Sequence, residues 1–285
     1  MIENPLPDTD AWVLSLSKAE LPVLRHTAHA LDKLRDQAEN VNGRALAAII
    51  LHDPLMALRV LAYLAENRRR TQLTDVTTIE RALMMIGIGP FFRDFDNLLL
   101  VEDHLKGQPK ALLGLLKVIA RSRKAAHWAR DWAAHRHDLD VDEITLAALL
   151  HDVADMLMWC FAPTLALKVE EMKAKDPHLR SATAQVEVYG ITMLELQQDF
   201  VHFWGLPQLL TMLMDHSSAD NPRVKNVALA VDLARHSANG WNDAALPDDL
   251  KAIQELLHVS DEMLASKLGV DADWIAPLMA PRDST

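Results

Sequence analysis

Punctuation is what most constrains this chain: apolar runs at helical spacing are repeatedly opened by a capping side chain or a proline and closed by a glycine. Asp53-Pro54 sets an N-cap before a proline at the first helical position. Thr77 with Glu80 reads as a capping box that Gly87 closes, and Thr192 with Glu195 repeats the box. Gly205-Leu206-Pro207 ends one helix and starts the next, and Asn221-Pro222 opens another that Gly240 closes. Between these marks apolar residues recur three and four apart, as at Leu112, Leu115, Leu116 and Ile119. No segment alternates apolar and polar residues with β-branched enrichment. The expected fold is all-α.

Soft boundaries at Lys106-Gly107-Gln108-Pro109 and between Gly240 and Pro247 suggest three parts. These are a helical N-terminal half (1–107), a second helical half (108–240) and a C-terminal helical extension (241–285). The 9 glycines and 13 prolines lie between apolar runs rather than in clusters, so no long disordered linker is expected. A net charge of -11 argues against a nucleic-acid partner, because neutralising phosphates needs surplus lysine and arginine. The single cysteine, Cys160, sits between Trp159 and Phe161 and reads as a buried free thiol in a reducing compartment. The N-terminus lacks a basic region followed by an apolar run, and no stretch approaches about 18 uninterrupted apolar residues. The expectation is a cytoplasmic protein without a membrane partner.

One dipeptide carries chemistry. His151-Asp152 follows the apolar run Ala148-Leu149-Leu150, and Asp232 lies downstream in Val231-Asp232-Leu233-Ala234. A first histidine, an adjacent His-Asp pair and a distant aspartate supply nitrogen and oxygen ligands to a water-activating metal in helical phosphohydrolases. The pattern resembles the HD superfamily, and over roughly residues 20 to 240 the chain is similar to its HDOD branch, the HD-related output domains of bacterial signalling proteins. The landmarks are His52-Asp53-Pro54-Leu55 with Ala57-Leu58-Arg59-Val60-Leu61, Thr78-Ile79-Glu80-Arg81-Ala82-Leu83 with Ile86-Gly87, the His-Asp segment itself, and Phe203-Trp204-Gly205-Leu206-Pro207. The resemblance implies an all-helical fold with an HD-like second half and a regulatory role.

Departures from the superfamily pattern shape the functional expectation. The position of the first histidine falls at Arg121, and a guanidinium has no lone pair to give a cation. His127 lies six residues later. Helical phase puts Arg121 on an apolar stripe with Val118, Ala125, Trp128 and Trp132, and His127 on a solvated face with Arg123, Arg130 and Asp131. Where related phosphohydrolases carry Gly-Lys after the pair, this chain has Ala154-Asp155, and a carboxylate repels a substrate phosphate. Met193 stands where binuclear members place a histidine, Asp215-His216-Ser217 replaces paired histidines, and no Gly-Tyr-Pro follows. The expected site is a remnant: Arg121, His151, Asp152, Asp155 and Asp232, with Arg121 forked to Asp152 or Asp232 in place of the metal's charge. No catalytic residue, metal or cofactor is expected.

Other features read more plainly. His52-Asp53 is explained as an N-cap, and Arg68-Arg69-Arg70 as a solvated helix end. Lys117, Arg121, Arg123, Lys124, Arg130 and Arg136 against Asp131 form a charge run usual for a wet helix face. The acidic extension (Asp248, Asp249, Asp261, Glu262, Asp271, Asp273) also carries Leu256, Leu257, Met263, Leu264, Leu268, Trp274, Ile275, Leu278 and Met279, enough to dock on its own body. Met84-Met85 and Met212 to Met214 read as core filler. The leading reading is a non-catalytic regulatory protein working through a protein partner. The rivals are a metal-dependent phosphohydrolase using His127, His151, Asp152 and Asp232, and a sensor holding a small anionic ligand at Arg121.

Overall fold

The computed structural model describes residues 1–36, 41–67, 76–176, 178–215 and 220–279, and everything below concerns these. They form helices and no strand, with an isolated parallel bridge between Val23 and Leu100. In chain order the first helices are α1 (Thr9–Ser17), α2 (Arg25–Asp36), α3 (Gly43–Ile50), α4 (Pro54–Glu66), α5 (Ile79–Ile86), α6 (Ile88–Asp94) and α7 (Val101–His104). The long α8 (Pro109–His135) is followed by α9 (Val141–Leu150), α10 (Val153–Phe161), α11 (Pro163–Lys175), α12 (Ser181–Tyr189), α13 (Met193–Phe203) and α14 (Gln208–Met214). The chain ends with α15 (Pro222–His236), a 3-10 turn (Ser237–Asn239), α16 (Leu246–Leu257), α17 (Asp261–Leu268) and α18 (Ala272–Met279). The all-α expectation holds.

Most of the punctuation works as its chemistry dictates. Asp53 caps α4 through Leu55 and Met56, Asn221 caps α15 through Arg223, and Thr192 with Glu195 makes both halves of a capping box. The α5 cap is a correction: Thr78, not Thr77, accepts from the Arg81 amide, so the sequence placed this start one residue early. Gly87 ends α5 at φ 84°, a conformation that side-chain-bearing residues avoid. The Arg68-Arg69-Arg70 run and His216-Ser217 lie outside the described residues.

Packing divides the chain into two compact units, residues 1–120 with 150–211 and residues 121–149 with 212–285. The first is organised around α10. Eight of its nine residues, Val153, Ala154 and Met156 to Phe161, are buried, as expected of a helix apolar on all sides. It packs on α4, α11 and α13, while α1 lies on α13, and α2, α4 and α5 each pack on α3. Ring edges of Trp159 approach Gly114 so closely that a Cβ there would meet them at 2.5 Å, which explains a glycine inside α8. Cys160 is buried and unpaired, as expected, and burial pushes its thiol up. By length and composition Val141–Phe161 could cross a bilayer, but 83 % of it is buried inside the protein.

In the second unit α15 and α16 form the main helix pair, and α18 packs on α16 and α17. Leu250, Ile253, Leu257, Leu264, Leu268 and Ile275 of the extension are buried, so it docks in cis. Met263 and Trp274 remain 50 % and 64 % exposed. The methionine expectation needs one correction. Met84 and Met85 are exposed rather than core, because the buried stripe of α5 runs through Ile79, Ala82 and Leu83 and helical phase turns both outward.

Candidate functional site

The His-Asp pair occupies the break between α9 and α10, in the first unit. Its side chains are buried, with His151 8 % and Asp152 9 % exposed. His151 Nδ1 and Asp152 Oδ1 lie 3.2 Å apart. With the proton on Nδ1 the imidazole donates to Asp152, which leaves Nε2 as the lone-pair nitrogen.

Asp152 stands at the N-cap position of α10, yet its side chain makes no cap hydrogen bond. Gln197 on α13 takes that duty. Its Oε1 accepts from the Ala154 amide at 2.9 Å, and its Nε2 donates to the Leu150 carbonyl at 3.4 Å, so one buried amide spans both sides of the break. An N-cap carboxylate is ordinarily consumed by such amides; here Asp152 is left to face its neighbour. Sequence reading missed Gln197. The available signal was a lone amide on the stripe that Leu196, Phe200 and Val201 bury.

Asp155 lies in the first turn of α10. Its negative charge adds to burial in pushing the Tyr189 phenol up, and the Tyr189 carbonyl accepts from Trp12 Nε1 at 3.1 Å. Met193 begins α13 with its amide on Gln185 Oε1, 3.1 Å away.

Arg121 and Asp232 belong to the second unit. The helical-phase argument for α8 holds: Val118, Ala125, Trp128 and Trp132 are buried, Arg121 is half-buried, and His127, Arg123 and Arg130 are exposed. Trp128 and Trp132 stack within that stripe at 6.4 Å between ring centres. Asp232 pairs with Arg235 at 3.4 Å along α15. Among the described residues no three His, Cys, Asp or Glu side chains gather as a metal-binding group. By the resemblance stated above, the superfamily's first nitrogen ligand would fall at Arg121, whose guanidinium has no lone pair to offer a cation.

The other His-Asp dipeptide is structural. His52 Nδ1 lies 2.8 Å from the Ala48 carbonyl. Asp53 is fully buried; beyond its cap bonds, Oδ2 accepts from the Leu24 amide at 2.8 Å, tying the start of α2 to α4. Burial raises its pKa, and these hydrogen bonds work against that rise.

An all-helical chain with a buried His-Asp turn between two consecutive helices has the arrangement expected of an HD-like domain. More narrowly, the chain belongs to the HDOD domain family, whose model matches residues 21–219. Among solved structures it is similar to the MmoQ response regulator of Methylococcus capsulatus str. Bath, at 20 % identity and a TM-score of 0.59, over 92 % of this chain and 98 % of that one. It is also similar to a virulence factor from Campylobacter jejuni subsp. jejuni, at 18 % identity and a TM-score of 0.61, over 96 % and 97 % of the two chains. Likeness at this identity concerns the fold. No curated protein matches the sequence.

Proposed function

We propose that this chain is a non-catalytic HDOD signalling protein that acts by binding a protein partner in the cytoplasm of a bacterium. The observation that carries the reading is Arg121. It lies on the inward stripe of α8 at the position where, by resemblance, the superfamily places its first metal ligand. The neighbouring departures act in the same direction. Asp155 puts negative charge where a phosphate would need positive charge, and exposed His127 lies on the opposite side of α8 from the buried stripe. Similarity to a protein described as a response regulator supports the signalling half of the proposal.

The test is metal content by mass spectrometry on protein purified without chelator, followed by phosphatase assays on p-nitrophenyl phosphate with added manganese. The expected result is far less than one metal per chain and no turnover above a control preparation. Stoichiometric metal, with activity abolished by His151→Ala, would overturn the proposal.

A further inference from the structure

Helix α1 lies outside the stretch that defines the family yet packs against it. The HDOD match begins at residue 21, after α1, and takes in α12 and α13. All three helices belong to the first unit, and α1 packs on α13. Trp12, Val13 and Leu16 are the buried residues of α1, while Asp10, Leu14 and Ser15 are exposed. The Trp12 indole meets the Tyr189 ring edge-on at 6.2 Å between centres, and its Nε1 donates to the Tyr189 carbonyl at 3.1 Å. An amphipathic helix laying its apolar side into a groove is a recurring mode of recognition between proteins, and a buried tryptophan is the usual anchor of such contacts.

Little else holds this segment. Glu3, Asp8, Asp10 and Lys18 form no ion pair among the described residues. The Ile2 amide donates to the Phe161 carbonyl at 2.7 Å, and Gln108 Nε2 reaches the Met1 thioether, a weak acceptor. The chain is pinned again just after α1, where Arg59 donates to the Leu21 carbonyl at 2.6 Å and pairs with Glu20 at 3.0 Å. Residues 1–17 can therefore lift as one piece, hinged at 18–19, without cutting the Arg59 tie. Opening of this local kind costs less than unfolding the unit.

We propose that the face of α12 and α13 beneath α1 docks an amphipathic helix of a protein partner, and that α1 is its tethered competitor. The partner chemistry is that of the observed occupant: a tryptophan, an aliphatic residue next to it and another four residues after it. The proposal rests on the partner-binding reading above and adds the form of the partner and its control. A tether this short holds α1 at an effective concentration on the order of millimolar, so only a helix that outcompetes it gains the face.

Fluorescence anisotropy with a labelled synthetic peptide of residues 5–18 tests this on the full chain and on full-chain Trp12→Asp/Leu16→Asp, which releases α1. The variant should bind the peptide about tenfold or more tighter than the wild type does, and a peptide carrying Trp12→Ala should lose about as much. A variant that keeps its helical circular dichroism but ignores the peptide would overturn the proposal, as would equal affinity of wild type and variant. Hydrogen exchange on the wild type needs no substitution: α1 should lose protection before α10 and α13, and equal protection of the three would also overturn it. A wild-type dimer in sedimentation velocity that the variant loses would give the face to α1 of a second copy instead. Metal content of the same preparations keeps the two readings apart. Stoichiometric metal with turnover breaks the partner-binding reading, whereas a failed peptide breaks this one alone.

Discussion

Two buried side chains of the first unit bridge backbone atoms, where the second unit also relies on partly exposed ion pairs. Asp53 takes three amides from two helix starts, and Gln197 spans the break before α10. The second unit has such a bridge in Asn226, whose Nδ2 donates to the Ala129 carbonyl at 3.2 Å. It adds ion pairs and long cationic side chains between its helices, as the first unit does at Arg25–Asp103, Arg35–Asp96 and Arg59–Glu20. His236 meets Asp249, Lys267 meets Asp131, Arg223 meets Asp140, and Arg136 reaches the Pro222 carbonyl at 2.7 Å. Buried bridges leave orphaned polar groups when cut, whereas exposed pairs are screened by solvent. Substitution at Asp53 or Gln197 should therefore cost more than cutting the partly exposed His236–Asp249 pair, which should answer to pH.

The largest expected effect is Asp53→Ala. It removes the α4 cap and strands the Leu24 amide in the core, which together cost about 3 kcal/mol. Asp53→Asn should cost less, since it keeps an acceptor oxygen while removing a buried charge. Because the chain has two units, urea unfolding should be followed by hydrogen exchange resolved by segment. Equal losses for the two variants would show that the hydrogen bonds matter less than the charge.

Gln197→Leu comes next, at about 2 kcal/mol, because the Ala154 amide and the Leu150 carbonyl both lose their partner in a dry setting. Its loss of protection should centre on the first turn of α10. Unchanged exchange at Ala154 would sink the claim that Gln197 caps this helix. Gly114→Ala should cost somewhat less. Relieving a 2.5 Å approach to Trp159 costs about 1–3 kcal/mol, and the better helix propensity of alanine returns up to about 1 kcal/mol. Trp159→Phe in the same chain should recover part of the loss by removing the offending ring edge.

The contrast between the units also explains what could be read from sequence. Caps are local, so Asp53, Thr192 and Asn221 were legible from their neighbours alone; Thr77 failed because adjacent threonines offer the same hydroxyl one residue apart. The inward phase of half-buried Arg121 and the exposure of His127 were legible because both depend on a single helix. Gln197 was not, since its partners at positions 150 and 154 lie more than forty residues away and no spacing rule links them. The third bond of Asp53 was hidden for the same reason: its cap role was visible, but the Leu24 amide is brought to it only by tertiary packing. Met84 and Met85 show the opposite failure, where composition suggested a core and phase alone would have turned them outward.

The smallest effect is expected at the His236–Asp249 pair, which answers to pH where the buried bridges do not. His236, in the last turn of α15, meets the Asp249 carboxylate of α16 at 2.5 Å, and its pKa is raised from the ordinary 6.5 chiefly by that hydrogen bond, with Asp232 and Asp243 adding negative charge. A histidine raised in the folded state contributes stability that is fully present below about 6.5 and is lost as pH rises through the folded pKa. Partial exposure of the pair limits this to about 0.5 kcal/mol. Protection in α15 and α16, corrected for the intrinsic pH dependence of exchange, should therefore decline from about pH 6.5 upward, while protection in α10 stays level. His236→Gln should flatten the decline, and the imidazole should titrate above 6.5 by nuclear magnetic resonance. A His236 that titrates at or below 6.5, or a decline shared equally by α10 and α16, would remove the distinction between the buried bridge at Gln197 and the charged pair at His236.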